Sequence, residues 1–394
     1  MVEGTPEVAA ARSEVAAQVP AAQVHGFRRP VLVLNPRSGS VQAVREPLLA
    51  TAARFGVAVR EAATPAELVA LAREAVADGA DVLGVAGGDG SLAAVATVAI
   101  EAELPFVCVP AGTRNHFARD LGLDRADPAA AIEAFVAGPQ RRVDVATVGE
   151  RLFLNNASIG VYAALVHEPT YRDDRLAAIG GMLESMLERD ALPVRASFRD
   201  GAGNAWDQVL ILFVSNNAYP VTEFGGRPRL DAGMLEVSAL RRTQGQEFGR
   251  ALENLVNGRA QAGEGWAHWT ATSFEVDSPS GRLEVGIDGE PVVLDTPLEF
   301  RIHAGALRVL VPPPRPAGAR PASSVSPARR PALGIAPTPE GRIEQVAALV
   351  RLGRLLGRVG EREFGPGPGE HGRPVDPRQR RRSGLPGPRP GGGA

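Results

Sequence analysis

Short apolar runs alternate with segments of helical periodicity through the first third of the chain. Residues 30–34, 57–60, 81–86 and 104–109 are predicted strands, and the apolar character of 81–86 and 104–109 is typical of buried parallel strands. This alternation predicts a doubly wound, mostly parallel α/β domain over residues 29–141. Its helices are predicted at residues 41–55, 64–78 (opened by a capping box at Thr64), 91–100 (capped by Ser91), 118–120 and 128–137.

The pattern changes at residue 142. Short β-rich segments separated by turns continue to residue 312, and they predict a second, mainly antiparallel β-sandwich domain. Residues 309–311 are expected to return to the sheet of the first domain. Two helical segments, 174–189 and 245–258, interrupt the strands. The methionine-containing stripe of the first suits core packing or, as the alternative, a lipid pocket.

Both ends of the chain differ from these two domains. Residues 1–28 are predicted to form a flexible, partly helical arm. Residues 313–394 carry 15 arginines and six acidic residues among many prolines and glycines, so most of this tail is expected to be disordered. Residues 341–359 are the exception, because their apolar face flanked by arginines predicts an amphipathic helix. Such a helix suits an anionic lipid surface or docking on the protein itself.

Composition narrows the class of protein. The chain has 394 residues, 44% of them hydrophobic, and a net charge of −2, which favours a globular protein without nucleic-acid partners. It contains no lysine, so phosphate charge would have to meet backbone N–H groups, arginine or a metal ion. The single cysteine, Cys108, lies in an apolar run and is predicted to be a buried, inert thiol.

No segment has the pattern of a signal peptide or of a bilayer-spanning helix. We therefore expect a cytoplasmic protein, and peripheral contact with a membrane surface stays open. The oligomeric state is equally open, with a homodimer among the options.

The tetrapeptide Gly87-Gly88-Asp89-Gly90 joins a predicted strand to a predicted helix. Backbone N–H groups, a helix N-terminus and missing side chains together make an anion site there. A carboxylate at Asp89 suits a phosphate site only if Mg²⁺ or an attacking hydroxyl is also present. The alternative is a plain strand–helix turn in which Asp89 bonds to nearby backbone.

Polar turns at residues 35–40 and 110–117 follow two other predicted strands. The carboxyl ends of parallel strands share one edge of a sheet, where ligands bind, so these turns are expected to converge on the glycine turn. Two further carboxylates, Asp144 and Glu290, lie at strand ends or turns in the second domain. One of them could face the nucleotide edge as a base, but Asp288-Gly289 fits a type I′ hairpin turn equally well.

Taken together, the motifs NPRSG at 35–39, GGDGS at 87–91, PAGTRNHFARDLG at 110–122 and DGE at 288–290 resemble the diacylglycerol kinase catalytic family, which includes bacterial lipid kinases and sphingosine kinases. The resemblance spans about residues 30–312 and implies an ATP- and Mg²⁺-dependent lipid kinase. It implies that Asp89 orients phosphates and metal, that Asp144 joins the metal–water network, and that Glu290 deprotonates the lipid hydroxyl. The nucleotide-binding positions that it implies are Asn35, Ser38, Gly87, Gly88, Gly90, Ser91, Gly112, Thr113 and Asn115.

Two departures from the family pattern keep other interpretations open. His116 stands where the family usually has Asp, and the segment 230–233 lacks the paired acids often found there. A kinase acting on NAD is one alternative, although the segment 115–119 argues against it. A non-catalytic protein that binds nucleotide or lipid is the other.

Overall fold

The computed structural model describes residues 5–17, 20, 23–38, 41–160, 194–218, 227–241 and 265–314. The helices predicted at 174–189, 245–258 and 341–359 lie outside these residues. Within them, the chain forms an eight-stranded sheet, a six-stranded sheet and a two-stranded hairpin.

The first sheet carries the predicted α/β alternation. Its strands β1 to β4 are parallel, in the order β2-β1-β3-β4. The apolar runs of β1, β3 and β4 are buried on both faces, as interior parallel strands require, whereas β2 at the edge of the sheet is partly exposed. The elements are α1 (Pro6–Ala16), β1 (Pro30–Leu34), α2 (Val41–Arg54), β2 (Ala58–Glu61), α3 (Pro65–Ala77), β3 (Val82–Gly87), α4 (Asp89–Glu101), β4 (Phe106–Pro110), α5 (His116–Asp120) and a 3₁₀ helix (Pro128–Phe135).

Helices cover both faces of this sheet, which confirms the doubly wound architecture. Leu68 of α3 and Leu92 of α4 belong to the core on one face, and Leu48 of α2 and Phe135 of the 3₁₀ helix belong to the core on the other. Cys108 of β4 is 1% exposed, and burial raises the pKa of its thiol well above the usual value. The predicted burial of this thiol is therefore confirmed.

The structure corrects three local predictions. Thr64 precedes α3 but its side chain makes no capping bond; Glu67 instead accepts from the N–H of Ala63 at 2.8 Å. Helix α4 begins at Asp89 with Gly88 as its N-cap, so Ser91 lies inside the helix. The N-terminal segment is helical as predicted, but α1 buries Ala11 and Val15 in the core and is packed rather than loose.

Strand β16 ties the two domains together. It pairs with β4 in parallel through Val309 and Leu310, as expected for a strand that returns to the first domain, and with β5 in antiparallel fashion along most of its length. The first sheet therefore continues into the second domain, and a boundary at residue 141 cuts β5. The strands concerned are β5 (Gln140–Val148), β6 (Arg151–Phe153), β13 (Ser273–Val276) and β16 (Leu298–Leu310).

The second domain buries its core between that extension and the six-stranded antiparallel sheet, which confirms a β-rich domain of two packed layers. Phe153 and Phe300 contribute from the first layer, and Ile159, Val214 and Val237 from the second. The order of the second sheet is β12-β11-β10-β7-β14-β15. Its strands are β7 (Asn156–Gly160), β10 (Ile211–Asn216), β11 (Leu235–Leu240), β12 (Trp266–Ala271), β14 (Arg282–Ile287) and β15 (Glu290–Asp295); β8 (Phe198–Arg199) and β9 (Ala205–Trp206) form the hairpin.

Candidate active site

Three turns meet at the carboxyl edge of the first sheet, after β1, β3 and β4. The hydroxyl of Ser38, after β1, accepts from the N–H of Gly88 at 2.7 Å. The amide of Asn35 donates to the hydroxyl of Ser91 in α4 at 2.9 Å. The N–H of Ala111, after β4, donates to the carbonyl of Gly87 at 3.2 Å. The predicted convergence is therefore present.

Glycine is required where two of these turns touch. A Cβ on Gly112 would overlap the backbone of Gly88, with the Gly88 nitrogen at 2.8 Å. A Cβ on Gly87 would lie 2.7 Å from the Cβ of Ser91. Neither Gly87 nor Gly112 has room for a side chain, so both positions present bare backbone, which is the kind of surface that phosphates approach.

Asn115 builds the third turn from inside. It has a positive φ of 52° and is 5% exposed, and its side chain accepts from the N–H of Gly112 at 2.8 Å and donates to the carbonyl of Gly112 at 2.7 Å. An Asn tolerates this left-handed conformation better than most residues. Its side chain thus shapes the turn, whereas Thr113 is exposed on the same turn.

Asp89 links the glycine turn to α5. Its two carboxylate oxygens accept from the N–H groups of His116 and Phe117, each at 3.1 Å. These are first-turn amides of α5, and a negative charge is favourable there. The bond pattern decides against a turn closed on its own neighbours, because Asp89 reaches 27 and 28 residues along the chain.

Glu290 comes from the other domain and reaches the same turn. Its carboxylate lies where a Cβ on Gly90 would project, with the carboxyl carbon 2.9 Å from that position. Glu290 is an exposed residue, so the carboxylate stands at the open edge of the turn. The hairpin predicted for this segment is confirmed: Asp288 and Gly289 have φ of 47° and 89° in a two-residue loop, and Ile287 pairs with Glu290 across it. The role of Glu290 as a base stays a prediction.

Asp288 fixes this hairpin, and sequence reasoning assigned it no role beyond the turn. It accepts from the N–H groups of Leu154 and Asn155 at 2.8 Å and of Asn156 at 3.1 Å. Burial raises the pKa of Asp288 to about 7. The negative charge of Asp89 also raises this pKa, whereas the three amide donors lower it. The sequence signal was the Asp-Gly pair, which marks a hairpin turn but not these distant partners.

Asp144 is buried and bonded to two backbone N–H groups of the second domain. It is 2% exposed, and its oxygens accept from the N–H of Gly233 at 2.6 Å and of Gly305 at 2.7 Å. Gly305 lies in the bulge of β16, and Gly233 lies in the segment 230–233 that lacks paired acids. In the described part of the chain, no group of three His, Cys, Asp or Glu side chains is placed to hold a metal ion.

The chain is similar to known proteins over most of its length. Residues 29–148 match the family model of the diacylglycerol kinase catalytic domain. The chain is 31% identical over 302 residues to a protein of Pseudomonas fluorescens strain Pf-5 named "Probable lipid kinase YegS-like", covering 73% of this chain and 97% of that one. The chain belongs to the diacylglycerol kinase catalytic family.

Other relatives agree with this membership. The "Diacylglycerol kinase" of Bacillus subtilis strain 168 is 24% identical over 275 residues, covering 67% of this chain and 90% of that protein. A solved structure from Bacillus anthracis str. Sterne, named as a "putative diacylglycerol kinase", superposes with a TM-score of 0.55 at 20% identity, covering 73% of this chain and 98% of that one. That likeness shows the shared fold. No helix among the described residues is long and apolar enough to cross a bilayer.

His116 is the main departure of this chain from the family pattern, and it lies beside Asp89. Its N–H donates to Asp89 at the start of α5, so the backbone keeps the contact whatever the side chain is. Burial lowers the pKa of His116, while Asp89 opposes that shift. Burial thus favours the neutral imidazole, whereas the Asp that the family resemblance leads one to expect at this position would add a negative charge.

Proposed function

We propose that this protein is a lipid kinase that moves the γ-phosphoryl group of ATP, with Mg²⁺, to a hydroxyl of a diacylglycerol-like or sphingoid lipid presented at a membrane surface. The observation that carries the proposal is the contact between Glu290 of one domain and Gly90 in the glycine turn of the other. Membership of the diacylglycerol kinase catalytic family supports it independently.

The nucleotide would lie along the three turns. The backbone N–H of Gly90 in the first turn of α4 would meet a phosphate oxygen, assisted by the helix dipole, while Gly88, whose N–H is bonded to Ser38, would offer a surface without a side chain. The seam between Gly88 and Gly112 leaves no side chain in the way. Asn35, Ser38, Ser91 and Asn115 would act mainly by shaping these turns, because each is already bonded within them; Gly87 and Thr113 would complete the surface.

The donor set fits Mg²⁺, which prefers carboxylate oxygens and keeps several waters. Asp89 and Asp144 present such oxygens, and each oxygen retains a lone pair beyond its amide bond. When bound, the metal ion would neutralise charge on the phosphates. Asp89 would meet it at the glycine turn, and Asp144 would join through water.

Glu290 would accept the proton of the lipid hydroxyl. The hydroxyl oxygen forms a bond to the γ-phosphorus while the bond from that phosphorus to the β–γ bridging oxygen breaks, so ADP leaves with that oxygen. The hairpin at Asp288-Gly289 holds the base across from the phosphates, and Asp288 locks the hairpin to residues 154–156. This division places the phosphates on one domain and the base on the other.

Transfer of radiolabelled phosphate from ATP to a total lipid extract, with identification of the product, tests the proposal. Wild type is expected to label a lipid in a Mg²⁺-dependent manner, and Asp89→Ala and Glu290→Ala are expected to fold and to lose labelling. Arg229→Ala is the matched control, since Arg229 pairs with Asp231 at the surface. Labelling of NAD instead of lipid, or full turnover in both acid variants, would refute it.

His116 supports one alternative, a protein that binds nucleotide or lipid without catalysis. Calorimetry decides between the two. Binding of ATP without ATP consumption across a panel of diacylglycerol and sphingoid lipids would favour the alternative, and consumption that depends on one lipid would exclude it.

A further inference from the structure

Arg227 is a buried arginine whose guanidinium reaches four separate groups. Its Nε donates to Asp120 at 2.6 Å, and both side chains are fully buried. Its Nη1 donates to the carbonyls of Leu154 at 2.6 Å and Asn216 at 2.9 Å, and its Nη2 donates to the side-chain oxygen of Asn155 at 3.1 Å. Only the planar fork of an arginine spans acceptors in this arrangement.

The first of these partners supports Asp89. Asp120 is the last residue of α5, and the first amides of α5, at His116 and Phe117, hold both oxygens of Asp89. Because α5 has only five residues, its two ends move together. Fixing Asp120 therefore fixes the amides that orient Asp89.

The next partners support Glu290. The carbonyl of Leu154 and the side-chain oxygen of Asn155 accept hydrogen bonds from Arg227. The N–H groups of the same two residues donate to Asp288. Asp288 in turn sets the hairpin that carries Glu290 to Gly90.

The last partner supports Asp144. The backbone carbonyl of Asn216 accepts a hydrogen bond from Arg227. The side-chain amide of Asn216 donates to the backbone carbonyls of Asp144 at 2.9 Å and Leu154 at 3.0 Å. The Arg227 guanidinium is thus bonded to residues that position three acids lying far apart in the sequence.

We infer that Arg227 is a positioning residue that holds α5, the Leu154–Asn155 segment and Asn216 in register, and thereby sets the mutual geometry of Asp89, Glu290 and Asp144. The inference rests on the proposed function for its catalytic consequence. A buried ion pair need not be present for stability, because apolar residues of similar size commonly replace such a pair without loss. Arg227 also bonds to three groups besides its ion-pair partner, which an apolar pair could not do.

Four variants test this. Arg227→Met removes every bond, Arg227→Lys keeps the charge without the fork, and Asp120→Leu combined with Arg227→Met replaces the buried pair by apolar side chains. Arg229→Met is the matched control, two residues away with a side chain 66% exposed. Each variant is measured for unfolding in urea, ATP affinity by calorimetry, kcat and KM on the lipid, and amide hydrogen exchange.

For Arg227→Met and Arg227→Lys we expect kcat to fall about 10- to 100-fold, the usual effect of losing a supporting partner of a reactive group. ATP affinity is expected to fall less than kcat, because Arg227 makes none of the bonds that shape the three turns and acts on Asp89 only through α5. In the double variant stability recovers relative to Arg227→Met, while kcat stays low. Arg229→Met behaves as wild type.

Recovery of kcat together with stability in the double variant, or wild-type kcat in Arg227→Lys, would overturn the inference. Hydrogen exchange separates its failure from that of the proposed function. If wild type phosphorylates no lipid, the proposed function fails; faster exchange at the amides of His116, Phe117 and residues 154–156 in Arg227→Lys still supports the positioning role. Unchanged exchange at those amides overturns it.

Discussion

Replacing Gly90 by alanine separates activity from stability in this protein. The new Cβ would project into the Glu290 carboxylate, with the carboxyl carbon at 2.9 Å and one carboxylate oxygen at 3.3 Å. Contacts this short force a displacement. The atoms that move are the end of a flexible, exposed side chain, so the backbone of α4 stays in place.

The effect on stability is therefore small and the effect on turnover large. Alanine is favoured over glycine within a helix by about 1 kcal/mol, and Gly90 is the second residue of α4, so the free energy of unfolding should rise by up to about that amount. Under the proposed function Glu290 is the base, and displacing such a carboxylate by about 1 Å can lower kcat about 100-fold. We expect both changes in the one variant.

The assay is lipid phosphorylation at saturating ATP, paired with urea unfolding. Gly26→Ala is the control, because a Cβ there meets no atom within 4 Å. The second comparison is between Glu290→Ala and the double variant Glu290→Ala/Gly90→Ala. Because the carboxylate is absent from both, Gly90→Ala should lower activity no further in that background. Wild-type kcat in Gly90→Ala, or an equal loss in the Glu290→Ala background, would refute the reasoning.

Two other predictions follow from the same region. Gly112→Ala would press its Cβ against the Gly88 backbone, which cannot rotate away, so urea unfolding should show a loss of about 1–3 kcal/mol and calorimetry a weaker ATP complex; unchanged values for both would contradict this. Burial raises the pKa of Asp288 to about 7, so the folded protein keeps a proton that the unfolded chain has lost. Its stabilising contribution is thus complete below about pH 4 and disappears as pH rises to about 7. Asp288→Asn should remove that slope in urea unfolding, and an identical slope in the variant would exclude Asp288 as its source.

Much of the fold follows from local pattern. The run Pro30–Leu34 became a strand with the predicted bounds, and β1, β3 and β4 lie side by side, because continuous apolar runs suit strands buried on both faces. Helix starts were less predictable. Thr64 and Ser91 are good capping residues by type, yet Gly88 caps α4 and the Thr64 side chain makes no capping bond, because capping depends on backbone angles that tertiary contacts set.

The candidate site was likewise predictable from the sequence only in part. The glycines at 87, 88 and 112 and the acids at 89 and 290 were visible as residue types in turns, since strand, turn and helix chemistry is local. The role of Asp288 was visible only as a hairpin turn, and its bonds to residues 154–156 join segments more than 130 residues apart. Arg227 gave no signal, because nothing in the sequence marks an arginine as buried.

The amino-acid sequence alone determined that two domains form, that one has a parallel sheet with a glycine turn at its carboxyl edge, and that acids lie at turns of both. Those features depend on the periodicity and conformational preferences of neighbouring residues. Only the tertiary structure decided which groups meet: Glu290 at Gly90, Asp89 at α5, and one guanidinium among Asp120, Leu154, Asn155 and Asn216. Such contacts arise from the packing of distant segments, and their partners cannot be identified from local preference.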